Sequence, residues 1–322
     1  MKSPERIFSL LRLTLFIFLA ITLALVARDA GNKWALAGSV NLIHLMPAFF
    51  FGILDIAVDF LVWYFFLTRV CPESGLSFSL MIFLSGFATD LAPAKIGEFS
   101  RTFLLRVLKG VSIRDGAAVQ LNSLFVDFCA ASLIGAMCLA IFGYWLAAAL
   151  AVTSSCLILF FFLGLIRFKN LQPLVQRIAR RFVPPEMFFG ITDLQGAIST
   201  LTKAGYWLFL VPFKTLSWFF MGMILFFISR AFGYSLSFFE SVFTVAFSSF
   251  LGTLSMVPKG LAVTEASLVG FQVHFNIPME AAVIIAFVFR GVSLWTWILT
   301  GNIVAQGMIR KVKTASTERA VQ

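Results

Sequence analysis

The sequence predicts an all-α polytopic membrane protein, with about six full spans and two opposed re-entrant hairpins that form an inverted repeat. Three observations carry this. The chain of 322 residues is 60% hydrophobic and 12% charged, against about 25% charged for an ordinary soluble domain. Several apolar runs reach the length of about 20 residues that a helix needs to cross the hydrocarbon core. Two runs are interrupted midway by Pro, Gly and charged residues, which at membrane depth survive only inside protein or along a cavity. No polar stretch is long enough to fold as a soluble domain. Residues 1–322 therefore read as a single integral-membrane domain, with repeat-like halves at 76–140 and 238–306 and a basic loop at 167–203.

Net charge is +10, but the basic residues collect in a few connecting segments, as the positive-inside rule expects. No basic stripe interleaved with aromatics stands on a water-soluble element, so nucleic acid is not an expected partner. Cys71, Cys129, Cys138 and Cys156 show no CxxC spacing and read as small packing residues. His44 and His274 lie far apart and outside any HExxH pattern, so neither a metal nor a cofactor is expected.

Taken in order, Lys2, Arg6 and Arg12 accompany an apolar run from Ile7 to Ala27, longer than a signal-peptide core. It reads as a retained first span with its N-terminus inside. Ala35 to Leu67 returns, with Pro47 as a place for a kink. Asp55 and Asp59 stand four apart and so share a helix face. They read either as a proton- or ion-coupling pair or as partners of basic residues elsewhere in the bundle.

Leu76 to Ala92 either crosses or dips in and returns, and charge decides between the two. Crossing would place Lys95, Arg101, Arg106, Lys109 and Arg114 outside, whereas a re-entrant hairpin keeps them inside with Arg69. The turn around Pro93 is then an interior feature, followed by a short helix from Glu98 to Lys109. Gly116 to Ala140 runs outward with Asp127 well inside it, and Trp145 to Ile166 runs back. The loop from Arg167 to Lys203 is basic and broken by Pro184 and Pro185, as expected of an amphipathic segment on anionic headgroups. Ala204 to Arg230 crosses outward. Phe238 to Phe275 then repeats the interrupted pattern at Pro258, Lys259, Gly260 and Glu265, entering and leaving from the outer side. Ala281 to Val304 is the last span, and Arg310, Lys311 and Lys313 put the C-terminus inside.

The two interrupted segments echo one another. Pro93, Gly97 and Glu98 correspond to Pro258, Gly260 and Glu265, and Asp115-Gly-Ala-Ala-Val before Asp127 corresponds to Glu280-Ala-Ala-Val before Arg290. Two such units facing opposite sides form an inverted repeat, the arrangement in which transporters place a substrate site near the midplane. Glu98, Arg101, Asp127, Glu265 and Arg290 are expected to build one central charged cluster, either a substrate site or a network that holds the hairpins.

On Pro93-Ala-Lys95-Ile-Gly97-Glu98-Phe-Ser-Arg101, and on Pro258-Lys-Gly260-Leu-Ala-Val-Thr-Glu265 with Arg290 downstream, the chain resembles the transmembrane domain of bacterial lysylphosphatidylglycerol synthases and its stand-alone, flippase-like relatives. The likeness runs from Ala35 to Arg310. It departs from the family pattern at Lys259 and Ala262, where a Gly-rich turn is usual, and at Thr89-Asp90, where Asn often precedes the proline. The resemblance implies a translocator of lipids or lipid-linked molecules in a bacterial or archaeal cytoplasmic membrane. Its partners would be membrane lipids, either an anionic phospholipid or a polyprenyl-linked substrate. Pro93, Lys95, Gly97, Glu98, Arg101, Asp127, Pro258, Gly260, Glu265 and Arg290 would form the substrate site. The aminoacyl-transfer domain of the synthases has no counterpart in these residues, and no nucleophile is paired with a base, so catalysis is not expected. A structural or regulatory partner of an envelope lipid-modifying system is the alternative, and a membrane-embedded lipid-modifying enzyme a more distant one.

Overall fold

A computed structural model describes residues 41–90, 100–167, 196–198, 200–202, 204–255 and 257–321. The elements are α1 Leu42–Val70, α2 Leu76–Gly86 with a 3-10 turn Phe87–Thr89, α3 Ser100–Lys109, α4 Ile113–Ile141 and α5 Trp145–Arg167, then α6 Ala204–Ala231, α7 Phe238–Leu254, a 3-10 turn Pro258–Gly260, α8 Val263–His274, α9 Met279–Arg290 and α10 Thr296–Val321. A π-helical turn, Gly291–Trp295, joins α9 to α10. The first expected span, Ile7–Ala27, and the basic loop at 168–195 lie outside the described residues.

Among the described residues, four stretches are long and apolar enough to cross a membrane: Leu42–Val70, Ile113–Ile141, Gly205–Ala231 and Met279–Met308. Two of them start at a side chain that caps the helix. The Asn41 side chain accepts from the Ile43 amide at 3.1 Å, and Ser112 caps α4 by accepting from the Asp115 amide at 3.0 Å. Asp115 returns the favour by accepting the Ser112 hydroxyl at 2.7 Å. The Asp115 and Glu280 of the sequence echo are thus first-turn acids of α4 and α9, placed where the helix dipole favours negative charge.

The hairpins are visible in ring contacts. Lys109, at the end of α3, lies 5.0 Å from the Phe78 ring near the start of α2, while Arg101, at the start of α3, lies 4.0 Å from Phe83 near its end. The two helices are therefore antiparallel. Likewise Phe243 near the start of α7 meets Phe271 and Phe275 at the end of α8, at 5.2 and 5.9 Å. The two hairpins open on opposite faces of the bundle. On one face the Asn41 amide donates to Ala231 O at 2.9 Å, and Phe142 at the end of α4 packs on Phe243 and Phe275. On the other, Phe65 near the end of α1 meets Tyr206 near the start of α6 at 5.1 Å, where α2 begins and α3 ends.

Two of the three apolar clusters among the described residues seat the hairpins. Trp63, Phe66, Leu67, Ile82 and Phe83 seat the first hairpin against α1, with Leu105, Val119 and Val126 in the same cluster. Ile224, Leu225, Leu268, Ala282, Ile285 and Phe289 seat the second against α6 and α9. Where hairpins cross long helices, glycine permits the approach. A Cβ on Gly301 of α10 would lie 2.6 Å from Leu84 O, and one on Gly116 would lie 2.8 Å from a Thr102 carbon.

Candidate functional site

Between the two hairpins lies a cavity of about 510 Å³ whose lining includes Asp55, Asp59, Asp90, Arg101, Asp127, Lys214, Lys259 and Arg290. Polar groups reach this depth because each is carried on an otherwise apolar helix or a hairpin tip. An unpaired ionised group at membrane depth is costly, so it draws a partner from another element.

The first group centres on Lys214 of α6. Its ammonium pairs with Asp59 of α1 and lies 3.2 Å from a carboxylate oxygen of Asp127 on α4. It also donates to the Ser217 hydroxyl at 3.0 Å, and that hydroxyl in turn lies 2.5 Å from an oxygen of Asp55. The spacing of four places Asp55 and Asp59 on the same face of α1, as expected, and the spacing of three does the same for Lys214 and Ser217 on α6. Two carboxylates thus share one ammonium and a third is linked to it through Ser217, with Lys214 only 6% exposed.

The second group joins the hairpin tips to α9. Arg290 Nε donates to Glu265 Oε1 at 2.6 Å, and its Nη2 donates to the Lys259 carbonyl at 3.0 Å. Lys259 Nζ lies 2.9 Å from Asp90 Oδ2, so the tip of one hairpin is fastened to the tip of the other. The acid at the first turn and the base at the second are therefore each other's partners. Gly252 and Gly260 set this tip: at either position a Cβ would collide with the Thr264 hydroxyl. Gly260 also has φ of 63°, in the left-handed region that favours glycine. Pro258 opens the same 3-10 turn.

Arg101 is buried on the wall. Its guanidinium lies over the rings of Phe83 and Phe87, at 4.0 and 5.1 Å, and its Nε donates to the Phe83 carbonyl at 3.1 Å. Gly86 makes room for it, since a Cβ there would lie 2.6 Å from Arg101 Cγ.

The expected single cluster is thus resolved as two ion-paired groups plus Arg101 around one cavity. Asp127 joins Lys214 instead of the arginines, and Glu265 holds Arg290 without being part of the cavity wall. The reason is reach: Asp127 lies on a long span beside α6, whereas Glu265 sits in the first turn of α8 beside α9. Pro93, Lys95, Gly97 and Glu98 lie outside the described residues. Lys214, Ser217 and the Asp90–Lys259 contact were not among the expected site residues. A lone lysine in the apolar run from Ala204 to Arg230 was the available signal, by the same rule that singled out Asp55 and Asp59. Trp218, Ser123, Ser293 and Trp297 also line the cavity, and each has a buried donor atom with no hydrogen-bond partner among the described residues. Uncharged residues in apolar runs carry no such signal. Among the described residues no group of three His, Cys, Asp or Glu side chains is placed to hold a metal ion.

A helical membrane bundle in which two opposed hairpins meet at a charged cavity is the class of protein that these features define. The chain belongs to the lysylphosphatidylglycerol synthase transmembrane-region family, whose model matches residues 7–301. No curated protein matches it.

Proposed function

We propose that this protein translocates a lipid or lipid-linked molecule across the cytoplasmic membrane, with the polar headgroup passing through the cavity between the hairpins. The observation that carries this is the cavity itself: about 510 Å³, with four carboxylates and four basic side chains in its lining. Ser123, Ser293, Trp218 and Trp297 add polar residues to its wall, each with a donor that has no hydrogen-bond partner among the described residues. In this reading Arg101 and Arg290 face a headgroup phosphate, and the acid-rich group of Asp55, Asp59 and Asp127 around Lys214 faces a cationic portion or a coupling ion. The protein itself performs no catalysis. Its basic connecting segments lie in the cytoplasm, as do both termini.

Mass spectrometry of lipids retained by the gently purified protein tests this. One lipid class enriched over the bulk membrane, and lost in Arg101→Ala and Arg290→Ala variants of equal thermal stability, is the expected result. Bulk lipid alone in all three would sink the translocator reading. A second reading, a structural partner of an envelope lipid-modifying system, draws on the pairing of Lys214, Lys259 and Arg290 with carboxylates. On that reading the same variants change stability and leave lipid retention as it was.

A further inference from the structure

Of the ion pairs around the cavity, the contact between the two hairpin tips holds the most deeply buried carboxylate; Glu265 on Arg290 likewise leaves one oxygen without a partner among the described residues, but its side chain is 32% exposed. Asp90 stands directly after the 3-10 turn of the first hairpin, and its side chain is 1% exposed. One of its oxygens meets Lys259 Nζ at 2.9 Å, while the other is buried and has no hydrogen-bond partner among the described residues. A carboxylate offers about four acceptor sites, and burying one half-satisfied forfeits much of the gain of the pair. Lys259 is differently placed. Its side chain is 27% exposed and lines the cavity, and its backbone is held at φ of 48° with its carbonyl bound by Arg290. The ammonium is thus presented by a turn whose carbonyl Arg290 holds, with both side chains lining the cavity, and its current anion is poorly satisfied.

We infer that Asp90 is an internal stand-in for an anionic headgroup: a phosphate ester entering the cavity takes Asp90's place on Lys259, and in doing so unfastens the two hairpin tips. This rests on the translocator reading of the same cavity and deepens it, naming the recognised chemistry as a phosphate mono- or diester and the contact that recognition breaks. A phosphate presents several oxygens where Asp90 uses one, so it can engage Lys259 and Arg290 together in charge-assisted hydrogen bonds. The exchange carries its own coupling. While Asp90 holds Lys259 the tips are joined, and once phosphate holds Lys259 that bridge is absent.

The test uses the full chain in nanodiscs with two probes, dihexanoyl phosphatidylglycerol and inorganic phosphate. Asp90→Asn removes the competing charge and is expected to bind the lipid about tenfold more tightly than wild type, the scale of one hydrogen bond to a charged group. Lys259→Gln is expected to bind it about tenfold more weakly on the same scale. A gain for both probes identifies the phosphate alone as the recognised group. A gain for the lipid alone identifies a phosphate recognised only together with its chains. Asp90→Asn binding the lipid no better than wild type, at an unchanged thermal midpoint, overturns the stand-in role while leaving the translocator reading in place. Wild type and both variants failing to bind either probe overturns both. Because Asp90→Asn also alters a buried contact, hydrogen exchange on the wild type supplies a second reading. The lipid should speed exchange of the Asp90 and Gly260 amides, which close the two tip turns onto Phe87 O and Val257 O. Slowed or unchanged exchange there with lipid bound overturns the unfastening.

Discussion

Lys214 shows how a single side chain in an apolar helix organises three others. It draws Asp59 and Asp127 from two other helices and reaches Asp55 through Ser217. Removing one partner of a buried pair leaves the rest uncompensated, which costs about 3 kcal/mol or more. Lys214→Met is therefore expected to lower the thermal midpoint sharply, and Asp127→Asn in that background to recover part of the loss. A Lys214→Met protein that melts like wild type would show that the three carboxylates need no shared cation. At this scale the sequence was half legible. A spacing of four put Asp55 and Asp59 on one face, but their partner lies on a helix more than 150 positions later, and no local pattern specifies which of the distant cations reaches them.

At the scale of elements, the hairpins are docked by glycine contacts that admit no Cβ. Gly301→Ala would press a methyl against Leu84 O at 2.6 Å and Ala88 N at 2.8 Å, both backbone atoms that cannot swing away. A loss of about 2 kcal/mol is expected, seen as a lower thermal midpoint with faster amide exchange over the first hairpin. Gly135→Ala is the control: nothing lies within 4 Å of its Cβ, so it should be neutral or slightly stabilising. Equal effects of the two would mean that close approach at Gly301 does not hold the hairpin. Breaks in the apolar runs announced both hairpins, since Pro, Gly and charge cannot face lipid. The exact ends were less legible. The first approach helix stops at Gly86 and tightens into a 3-10 turn before Asp90, because Gly86 and Thr89 face Arg101 and Ser100 of the returning helix.

At the scale of the whole molecule, the opposed openings of the hairpins follow from which helix ends meet. Lys109 belongs to the face where α1 ends, and Ser235 to the face where α6 ends. If the basic segments lie in the cytoplasm, as proposed, Lys109→Cys in a cysteine-free background should react with an impermeant thiol reagent only from the cytoplasmic side, and Ser235→Cys only from outside. Labelling of both from one side would sink the opposed-hairpin topology in the membrane. Charge asymmetry pointed to opposed hairpins because it accumulates over many residues and needs no knowledge of contacts.

Apolar run length, the positive-inside bias and the interrupting Pro, Gly and charged residues determined by themselves the membrane class, the order of helices and the two places where the chain turns back. These are local or summed properties, and lipid enforces them on every segment separately. Only the tertiary structure decided which charges meet: Lys214 with Asp59 and Asp127, Arg290 with Glu265, and Lys259 with Asp90 across the two hairpin tips. Those pairings depend on helix rotation and close packing at Gly86, Gly252 and Gly301, and on distances between segments far apart in the chain, where a shift of one helical position turns a side chain about 100° away from its partner.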